Sequence, residues 1–181
     1  MALKDPMNST YYTGVGSRST PKPILSLMAE IAKKMHKKGY TLRSGCADGA
    51  DSAFEQGAGP HKQLYTPVPQ YKGRNGITPD PHAFDIAKQF HPAWGKLSSF
   101  AKKLMARNAH QVLGRDLESP SRVLICWTPD GSEGKTSRHT GGTGQAIRIA
   151  AASGVPICNL QREHRRKEYT EWVNTPVFPD N

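Results

Sequence analysis

Apolar residues along the chain fall alternately into short runs and into helical spacing, a pattern that predicts alternating strands and helices. A run at residues 11–13 precedes apolar positions that recur every three or four residues from Ile24 to Met35, as on one face of a helix. Later strands are expected at residues 40–43, 64–68, 121–127 and 155–160, and later helices near residues 50–57, 81–90, 96–112 and 145–152. Regular alternation is typical of a parallel sheet covered by helices on both faces. We therefore predict a Rossmann-like, doubly wound α/β fold with about five strands.

The same pattern divides the chain into one domain and two terminal segments. We expect residues 1–10 to be a flexible N-terminus, residues 11–160 to form the Rossmann-like domain, and residues 161–181 to form a basic helix and a tail. The run at residues 121–127 is almost continuously apolar, as in a central parallel strand, whereas Pro156 indicates a strand near the sheet edge. Residues 70–80 are rich in glycine, proline and polar side chains, which predicts a loop that serves as a lid or a binding loop.

The charge of the chain points to an anionic partner. The 181 residues carry a formal net charge of +10, and the 25 lysines and arginines are spread along the whole sequence. The folded domain itself is therefore expected to be basic and to attract polyanions such as nucleic acid. A second interpretation is that the excess of basic residues serves solubility.

The cysteines and the hydropathy favour a cytoplasmic protein. Cys46, Cys126 and Cys158 are far apart and form no C-x-x-C pair, which predicts neither a disulfide framework nor a cysteine zinc site. No apolar run has the length of a signal peptide or a membrane span, so we expect no membrane partner. The seven histidines lack metal-ligand spacing, so we predict no metal site; His139 is read as an exposed loop residue.

A first candidate phosphate-binding segment follows the first predicted strand. Gly14, Gly16, Ser17 and Arg18 stand between this strand and the first helix, where backbone N–H groups and the helix N-terminus favour an anion. The Arg18 guanidinium is suited to grip a phosphate with two hydrogen bonds. A plain tight turn would use the same glycines, so both interpretations stay open.

A second candidate segment lies between the apolar strand at residues 121–127 and the next helix. It contains three glycines and two threonines in the sequence Thr140-Gly141-Gly142-Thr143-Gly144-Gln145. Backbone donors, hydroxyl groups and the helix dipole are expected to converge on one phosphate there. The segment is not a Walker A loop, because no G-K-[ST] is present.

A third candidate segment, residues 44–51, ends the second predicted strand. Ser44 and Gly45 offer a hydroxyl group and a small residue that lets a ligand approach the backbone. Asp48 and Asp51 are suited to contact a ribose hydroxyl or to act as a base. The alternative is that these carboxylates stabilise a helix N-terminus.

Taken together, these segments resemble those of a known superfamily. Residues 13–18, 44–51 and 141–144, together with the pair Arg107-Asn108, look like the SLOG superfamily, which joins the DNA-processing protein A (DprA/Smf) family with the Lonely Guy phosphoribohydrolases. Residues 44–51 are similar to the S-G-x-A-x-G-x-D signature of the DprA branch, and Arg107-Asn108 resembles its R-N pair. The resemblance spans about residues 11–160.

The resemblance implies a fold that holds nucleotide-derived ligands, or single-stranded DNA in the DprA branch. It places Arg18, Ser44, Arg107 and residues 141–144 at the site. Lonely Guy enzymes carry a G-G-x-G-T-x-x-E motif, whereas this chain has Gln145 in place of the threonine and Arg148 in place of the glutamate. The carboxylate that would assist cleavage of the glycosidic bond is therefore missing, and Arg148 adds a candidate phosphate contact.

Three functions follow as hypotheses. The first is a DprA-like module that binds single-stranded DNA or RNA, and the second is a protein that sequesters a small nucleotide signal. The third is a nucleotide N-glycosidase, whose catalytic carboxylates would be Asp48, Asp51 or Glu133. No cofactor is identified beyond a nucleotide-type ligand, and self-association is left open. The candidates for stacking on a base are Tyr71, Trp94, Phe100 and Trp127, and the charge run at residues 165–167 is read as a solvated helix face.

Overall fold

The computed structural model describes residues 2–177, which form one parallel sheet, a small hairpin and six helices. The strands are β1 (Tyr11–Gly14), β2 (Thr41–Ser44), β3 (Lys62–Leu64), β4 (Gln70–Tyr71), β5 (Arg74–Asn75), β6 (Leu124–Cys126) and β7 (Ile157–Asn159). The helices are α1 (Lys22–Lys37), α2 (Ala50–Ala58), α3 (Pro81–Phe90), α4 (Ser99–Leu113), α5 (Thr143–Ala152) and α6 (Glu163–Asn174). Short 3-10 turns occur at Pro6–Asn8, Trp94–Lys96 and Arg138–Thr140.

The five strands of the main sheet are all parallel and follow the order β3-β2-β1-β6-β7. The chain starts at the centre with β1, moves outward to β3, and then crosses over to β6 and β7. The direction of winding therefore reverses between β1 and β6. The predicted Rossmann-like, doubly wound fold is confirmed, with β6 inside the sheet and β7 at its edge, as the apolar run and Pro156 indicated.

Helices cover both faces of this sheet, and each face has its own apolar core. Tyr12, Leu42 and Ile125 pack beneath α1 and α2, and residues of α6 join that cluster. Leu124 and Cys126 belong to the second cluster, beneath α3, α4 and α5. Neighbouring residues of β6 point to opposite faces because side chains alternate along a strand.

A close helix–helix contact lies on the first face, between α1 and α2. A Cβ atom placed on Gly57 would lie 2.1 Å from the carbonyl oxygen of Ala29. Only glycine allows the two backbones to approach this closely.

Residues 70–80 differ from the predicted irregular loop, because part of this segment forms the hairpin β4–β5. Tyr71 pairs with Arg74 across a two-residue turn. The turn residues Lys72 and Gly73 have φ values of 49° and 75°, the left-handed conformation that matches the twist of a tight hairpin. The sequence pattern missed the hairpin because each strand has only two residues, too few to show alternation.

Some predicted boundaries are also corrected. The third strand covers Lys62–Leu64 rather than residues 64–68, since Pro67 and Pro69 have no N–H group to extend the pairing. The strand predicted at residues 121–127 is regular only over Leu124–Cys126. Helix α4 begins at Ser99, where the Ser98 hydroxyl accepts the N–H of Ala101 at 3.1 Å and caps the helix.

Both terminal segments contact the body of the domain. In the segment whose flexibility stays a prediction, the backbone N–H of Lys4 donates to the carbonyl of Glu118 at 2.9 Å. At the other end, the predicted helix is present as α6. The ammonium group of Lys34 in α1 donates to the carbonyl oxygens of Trp172 and Thr175 at the C-terminus of α6. The end of the predicted tail, residues 178–181, lies outside the described residues. Between residues 2 and 177, no helix combines the length and apolarity needed to cross a bilayer.

Candidate functional site

A cleft of about 630 Å³ opens at the carboxyl ends of the strands, beside the point where the winding reverses. Such crevices are the usual ligand sites of open parallel sheets. The cleft is lined by the β1–α1 loop, the loop before α5, one face of α4, and the β4–β5 hairpin. Segments distant in the sequence therefore meet at one place.

The β1–α1 loop forms one rim of the cleft. A Cβ atom on Gly16 would lie 2.7 Å from the Cβ of Ala50, so the loop fits closely against α2 only with glycine there. The N–H of Ser17 donates to the carbonyl of Trp127 at 3.1 Å, which fixes the loop to the end of β6. Arg18 is exposed at this rim, and it forms no ion pair within the described part of the chain.

The loop before α5 forms the facing rim. Thr140 is buried and donates its hydroxyl to Asp130 at 2.6 Å, which holds the end of the 3-10 turn. Gly141 follows with a φ of 71°, and its surroundings are open. The backbone N–H groups of Gly142 and Thr143 have no acceptor among residues 2–177. Free N–H groups at a helix N-terminus are suited to an anion.

Two helices supply the floor of the cleft. We define the floor as Arg107 and Gln111 of α4 together with Asp51 of α2. Arg107 and Gln111 are one helical turn apart and therefore lie on one face of α4. One guanidinium N–H of Arg107 donates to the carbonyl of Gly45, while the Asn108 amide donates to the carbonyl of Gly142 at 3.4 Å. The helix therefore connects the floor with the loop before α5.

Asp51 is the carboxyl group that lines the cleft. Its side chain accepts the backbone N–H groups of Gly45 at 3.2 Å and Ala47 at 3.3 Å. Burial raises the pKa of Asp51 to about 6, although Arg107 and the backbone N–H groups favour the charged form. A buried acid with a raised pKa in a cleft marks a candidate functional group.

The hairpin β4–β5 and the first turn of α4 form an aromatic wall. The rings of Tyr71 and Phe100 are 6.3 Å apart and both line the cleft. Lys72 lines it as well and forms an ion pair with Asp48. Two of the four predicted stacking candidates thus lie in the cleft, whereas Trp94 and Trp127 pack against the two apolar cores.

The structure brings together nine of the fifteen residues that the sequence predicted to bind a ligand. Those that line the cleft are Gly16, Ser17, Arg18, Arg107, Asn108, Thr140, Gly141, Gly142 and Thr143. Of the predicted catalytic carboxylates, Asp51 alone lines it.

Three predicted residues at the strand ends lie beneath the cleft instead. Gly14 is buried, and a Cβ atom there would lie 2.6 Å from the ring of Phe54. The Ser44 hydroxyl donates to the carbonyl of Gly14 at 2.7 Å. Gly45 is also buried and accepts a hydrogen bond from Arg107. These residues support the loops without facing the cleft.

Gln145 and Arg148 are likewise placed away from the cleft, together with buried Gly144. The Gln145 amide donates to the carbonyl of Ala87 at 2.8 Å, and Arg148 donates to the carbonyl of Phe90 at 2.7 Å. Both side chains therefore fasten α5 to α3. The arginine expected to add a phosphate contact points into this helix–helix contact.

The remaining two predicted carboxylates also lie outside the cleft lining. Asp48 is exposed and paired with Lys72. Glu133 accepts hydrogen bonds from Arg165 at 3.0 Å and from the backbone N–H of Asn159 at 2.9 Å. It ties α6 to the loop that follows β6.

Sequence reasoning missed Gln111, and the spacing on α4 contained the signal. Gln111 follows Arg107 by four residues within a predicted helix. This spacing places the two side chains on the same face of the helix. The β4–β5 hairpin carried no comparable signal. Among residues 2–177, no three His, Cys, Asp or Glu side chains are grouped closely enough to hold a metal ion.

Fold and cleft together define a doubly wound α/β protein with an anion-suited cleft at its winding reversal. Comparisons of the chain with protein-family models, with curated proteins and with solved structures gave no match. Membership of the SLOG superfamily therefore stays a prediction from the sequence motifs.

Proposed function

We propose that the cleft binds the phosphate group of a nucleotide, either as a free molecule or as one unit of a single-stranded nucleic acid. The observation that carries this proposal is the pair of free backbone N–H groups at Gly142 and Thr143 opposite the Arg18 rim. Backbone donors, a helix N-terminus and an unpaired guanidinium are the groups that hold phosphate in proteins. Arg107 adds a positive charge beneath them.

The size of the cleft supports a small ligand or a single unit of a strand. Its volume of about 630 Å³ lies within the range of small-molecule sites. The rims supply donors for phosphate, and the wall formed by Tyr71 and Phe100 supplies an apolar surface for a base. This combination of a polar and an aromatic subsite suits the phosphate and the base of a nucleotide.

Binding of a longer strand is supported by a different observation. The net charge of +10 is spread over the chain, which provides phosphate contacts beyond the cleft. Both ligands share the phosphate subsite and differ in how far the contact extends.

Calorimetric titration with nucleoside 5′-monophosphates, nucleosides and a single-stranded oligonucleotide tests the proposal. We expect monophosphates to bind and nucleosides without phosphate to bind at least about tenfold more weakly. Strand binding would add a steep loss of affinity with salt. Equal affinity for nucleosides and nucleotides, or no binding of either class, would contradict the proposal.

Arg18→Met and Arg115→Met form a matched pair of variants for this titration. Both arginines are exposed, but only Arg18 lines the cleft. We expect Arg18→Met to weaken the binding of a monophosphate about tenfold, as the loss of one charge-assisted contact would. Arg115→Met is expected to leave this affinity unchanged.

Hydrolysis of the glycosidic bond is a second candidate, supported by Asp51. This carboxyl group lines the cleft, and burial raises its pKa to about 6, which suits a proton donor near neutral pH. The test is incubation with nucleoside monophosphates, followed by chromatography for free base. Release that disappears in Asp51→Asn would support hydrolysis; no release from any of them leaves binding or sequestration.

A further inference from the structure

A second cavity, a groove, opens at the opposite edge of the sheet from the cleft. Three of its lining residues, Tyr40, Val123 and Pro156, directly precede the strands β2, β6 and β7. The groove therefore lies at the amino ends of the strands, whereas the cleft lies at their carboxyl ends. Its volume of about 430 Å³ is within the range of small-molecule sites.

The wall of the groove is rich in aromatic and thioether side chains, namely Tyr40, Tyr169, Trp172, Met7 and Met35. The rings of Tyr169 and Trp172 are 5.8 Å apart and inclined at 74°. The three aromatic side chains are half-buried, so part of each one stays accessible. Aromatic rings and methionine sulfur atoms both make favourable contacts with a further ring. The wall therefore suits a flat aromatic group.

Two cations and one carboxylate line the same groove. Lys38 is exposed and Arg122 is half-buried, and neither forms an ion pair within the described part of the chain. Arg122 donates one N–H to the carbonyl of Met7, which holds the guanidinium beside the groove. The carboxylate, Glu168, pairs with Arg165 at 3.6 Å. The groove therefore retains positive charge for an anion.

The helix ends beside the groove favour a carboxylate over a phosphate. Lys38 is the C-cap of α1, and Trp172 lies in the last turn of α6. Helix C-termini carry partial negative charge, whereas phosphate sites typically use the N–H groups of a helix N-terminus. Because repulsion grows with charge, these carbonyl groups repel a singly charged carboxylate less than a phosphate.

The surface around the groove argues for a small occupant and against a second copy of the chain. Among residues 2–177, the exposed large apolar side chains are Leu3, Met7, Phe100 and Val177, and of these Met7 lines the groove. A stable protein–protein interface buries about 800 Å² on each partner and has an apolar core. One exposed apolar residue does not extend the groove to that size, so the occupant is a small molecule.

We propose that the groove binds a small aromatic carboxylate, with its ring against Tyr169 and Trp172 and its carboxylate at Lys38 and Arg122. The groove is separate from the cleft, so this inference goes beyond the proposed function and does not depend on it. The protein then has two ligand sites, one at each edge of its sheet.

Calorimetric titration with 2-naphthoate as the probe tests this inference. Naphthalene-2-carboxamide has the same rings without the charge, and octanoate has the charge without the rings. We expect 2-naphthoate to bind at least about tenfold more tightly than the amide, because the amide loses the charge-assisted contacts. Octanoate is expected to bind about threefold more weakly than 2-naphthoate, because it makes no ring–ring contact.

Met7→Glu and Leu3→Glu form a matched pair of variants. The two apolar side chains are 58% and 43% exposed, but only Met7 lines the groove. A carboxylate at position 7 would compete for Arg122 and repel the probe, so we expect Met7→Glu to weaken the binding of 2-naphthoate at least about tenfold. Leu3→Glu adds the same charge outside the groove and is expected to change this affinity less than about twofold, because solvent screens it. Equal melting temperatures of the two variants exclude a loss of folding as the cause.

Arg18→Met separates the groove from the cleft. We expect this variant to keep its affinity for 2-naphthoate, because Arg18 lines the cleft at the other edge of the sheet. Weaker binding of 2-naphthoate by Arg18→Met, or unchanged binding by Met7→Glu, would overturn the inference. So would equal affinity for the acid and the amide, octanoate binding as tightly as 2-naphthoate, or no binding of 2-naphthoate. The proposed function is tested separately, by the binding of nucleoside monophosphates.

Discussion

A pair of arginine and glutamine lies on each of the helices α4 and α5; Arg107, Gln111 and Gln145 are buried, and Arg148 is half-buried. In the α5 pair, Arg148 donates to the Gln145 side chain at 2.8 Å, and both residues donate to carbonyl groups of α3. In the α4 pair, Arg107 and Gln111 lie at the cleft floor, and each keeps one buried nitrogen without an acceptor. The residue types are the same, but the hydrogen bonding is not.

The two pairs differ in whether the fold supplies an acceptor for each side-chain donor. The donors of the α5 pair form hydrogen bonds that fasten α5 to α3, so a ligand would have to compete with these contacts. In the α4 pair, one guanidinium N–H of Arg107 donates to the carbonyl of Gly45, while Arg107 Nε and Gln111 Nε2 have no acceptor within residues 2–177. An arginine beside a glycine-rich loop is therefore not by itself evidence of a ligand contact, because Arg148 donates to Phe90 and Gln145 instead.

The largest expected effect concerns Asp51, the carboxyl group that lines the cleft. Its folded-state pKa of about 6 lies above the ordinary value of 3.8. Its protonated form therefore stabilises the fold fully below about pH 4, and this contribution is lost as the pH rises to about 6. We expect the wild-type protein to lose about 2–3 kcal/mol relative to Asp51→Asn over this range.

Urea unfolding of both proteins at several pH values measures this difference. If the two stability curves run parallel between pH 4 and 6, the carboxyl group is not destabilised by burial.

The next largest effect is expected for Gln145→Met, a substitution in the α5 pair. The substitution leaves a guanidinium nitrogen of Arg148 without its acceptor and removes the donor to Ala87. We expect the free energy of unfolding to fall by about 2 kcal/mol. Gln111→Met, measured alongside by chemical denaturation, is expected to stay within about 0.5 kcal/mol of the wild type or to exceed it. Similar losses in the two variants would remove the distinction between the pairs.

A crossed test of two arginines has a smaller expected effect. Arg18→Met should weaken the binding of a nucleoside monophosphate about tenfold, or about 1.4 kcal/mol, and leave stability unchanged. Arg148→Met should leave binding unchanged and lower stability by about 1 kcal/mol, because it breaks the contact with Phe90. Calorimetric titration and urea unfolding of both variants provide the four measurements. Weaker binding in Arg148→Met would mean that Arg148 contributes to ligand binding after all.

The smallest expected effect concerns the aromatic wall. Tyr71→Leu keeps an apolar surface but removes the ring that faces Phe100 in the cleft. We expect nucleotide affinity to fall about threefold, while the affinity for ribose 5-phosphate stays constant, because only the nucleotide has a base to stack. Parallel losses for both ligands would mean that Tyr71 shapes the cleft without contacting a base.

The sequence by itself determined the fold class and the edge of the sheet where the loops meet. The apolar run of β6, the helical spacing of α1 and the edge position of Pro156 are local patterns, and local patterns are sufficient to predict alternating strands and helices. In a parallel sheet all strand ends face the same way, so the glycine-rich loops after β1 and β6 had to lie on one edge.

Only the tertiary structure decided which polar residues of those loops and helices face the cleft. Gln145 follows the glycines directly and was predicted to bind, whereas Gln111 went unnoticed; the structure reverses their positions. The Gln145 amide finds its acceptor at Ala87, which is 58 residues away along the chain, whereas Gln111 Nε2 has no acceptor within residues 2–177. The pattern around a residue specifies its element, but whether its donors are satisfied depends on partners that folding alone brings near.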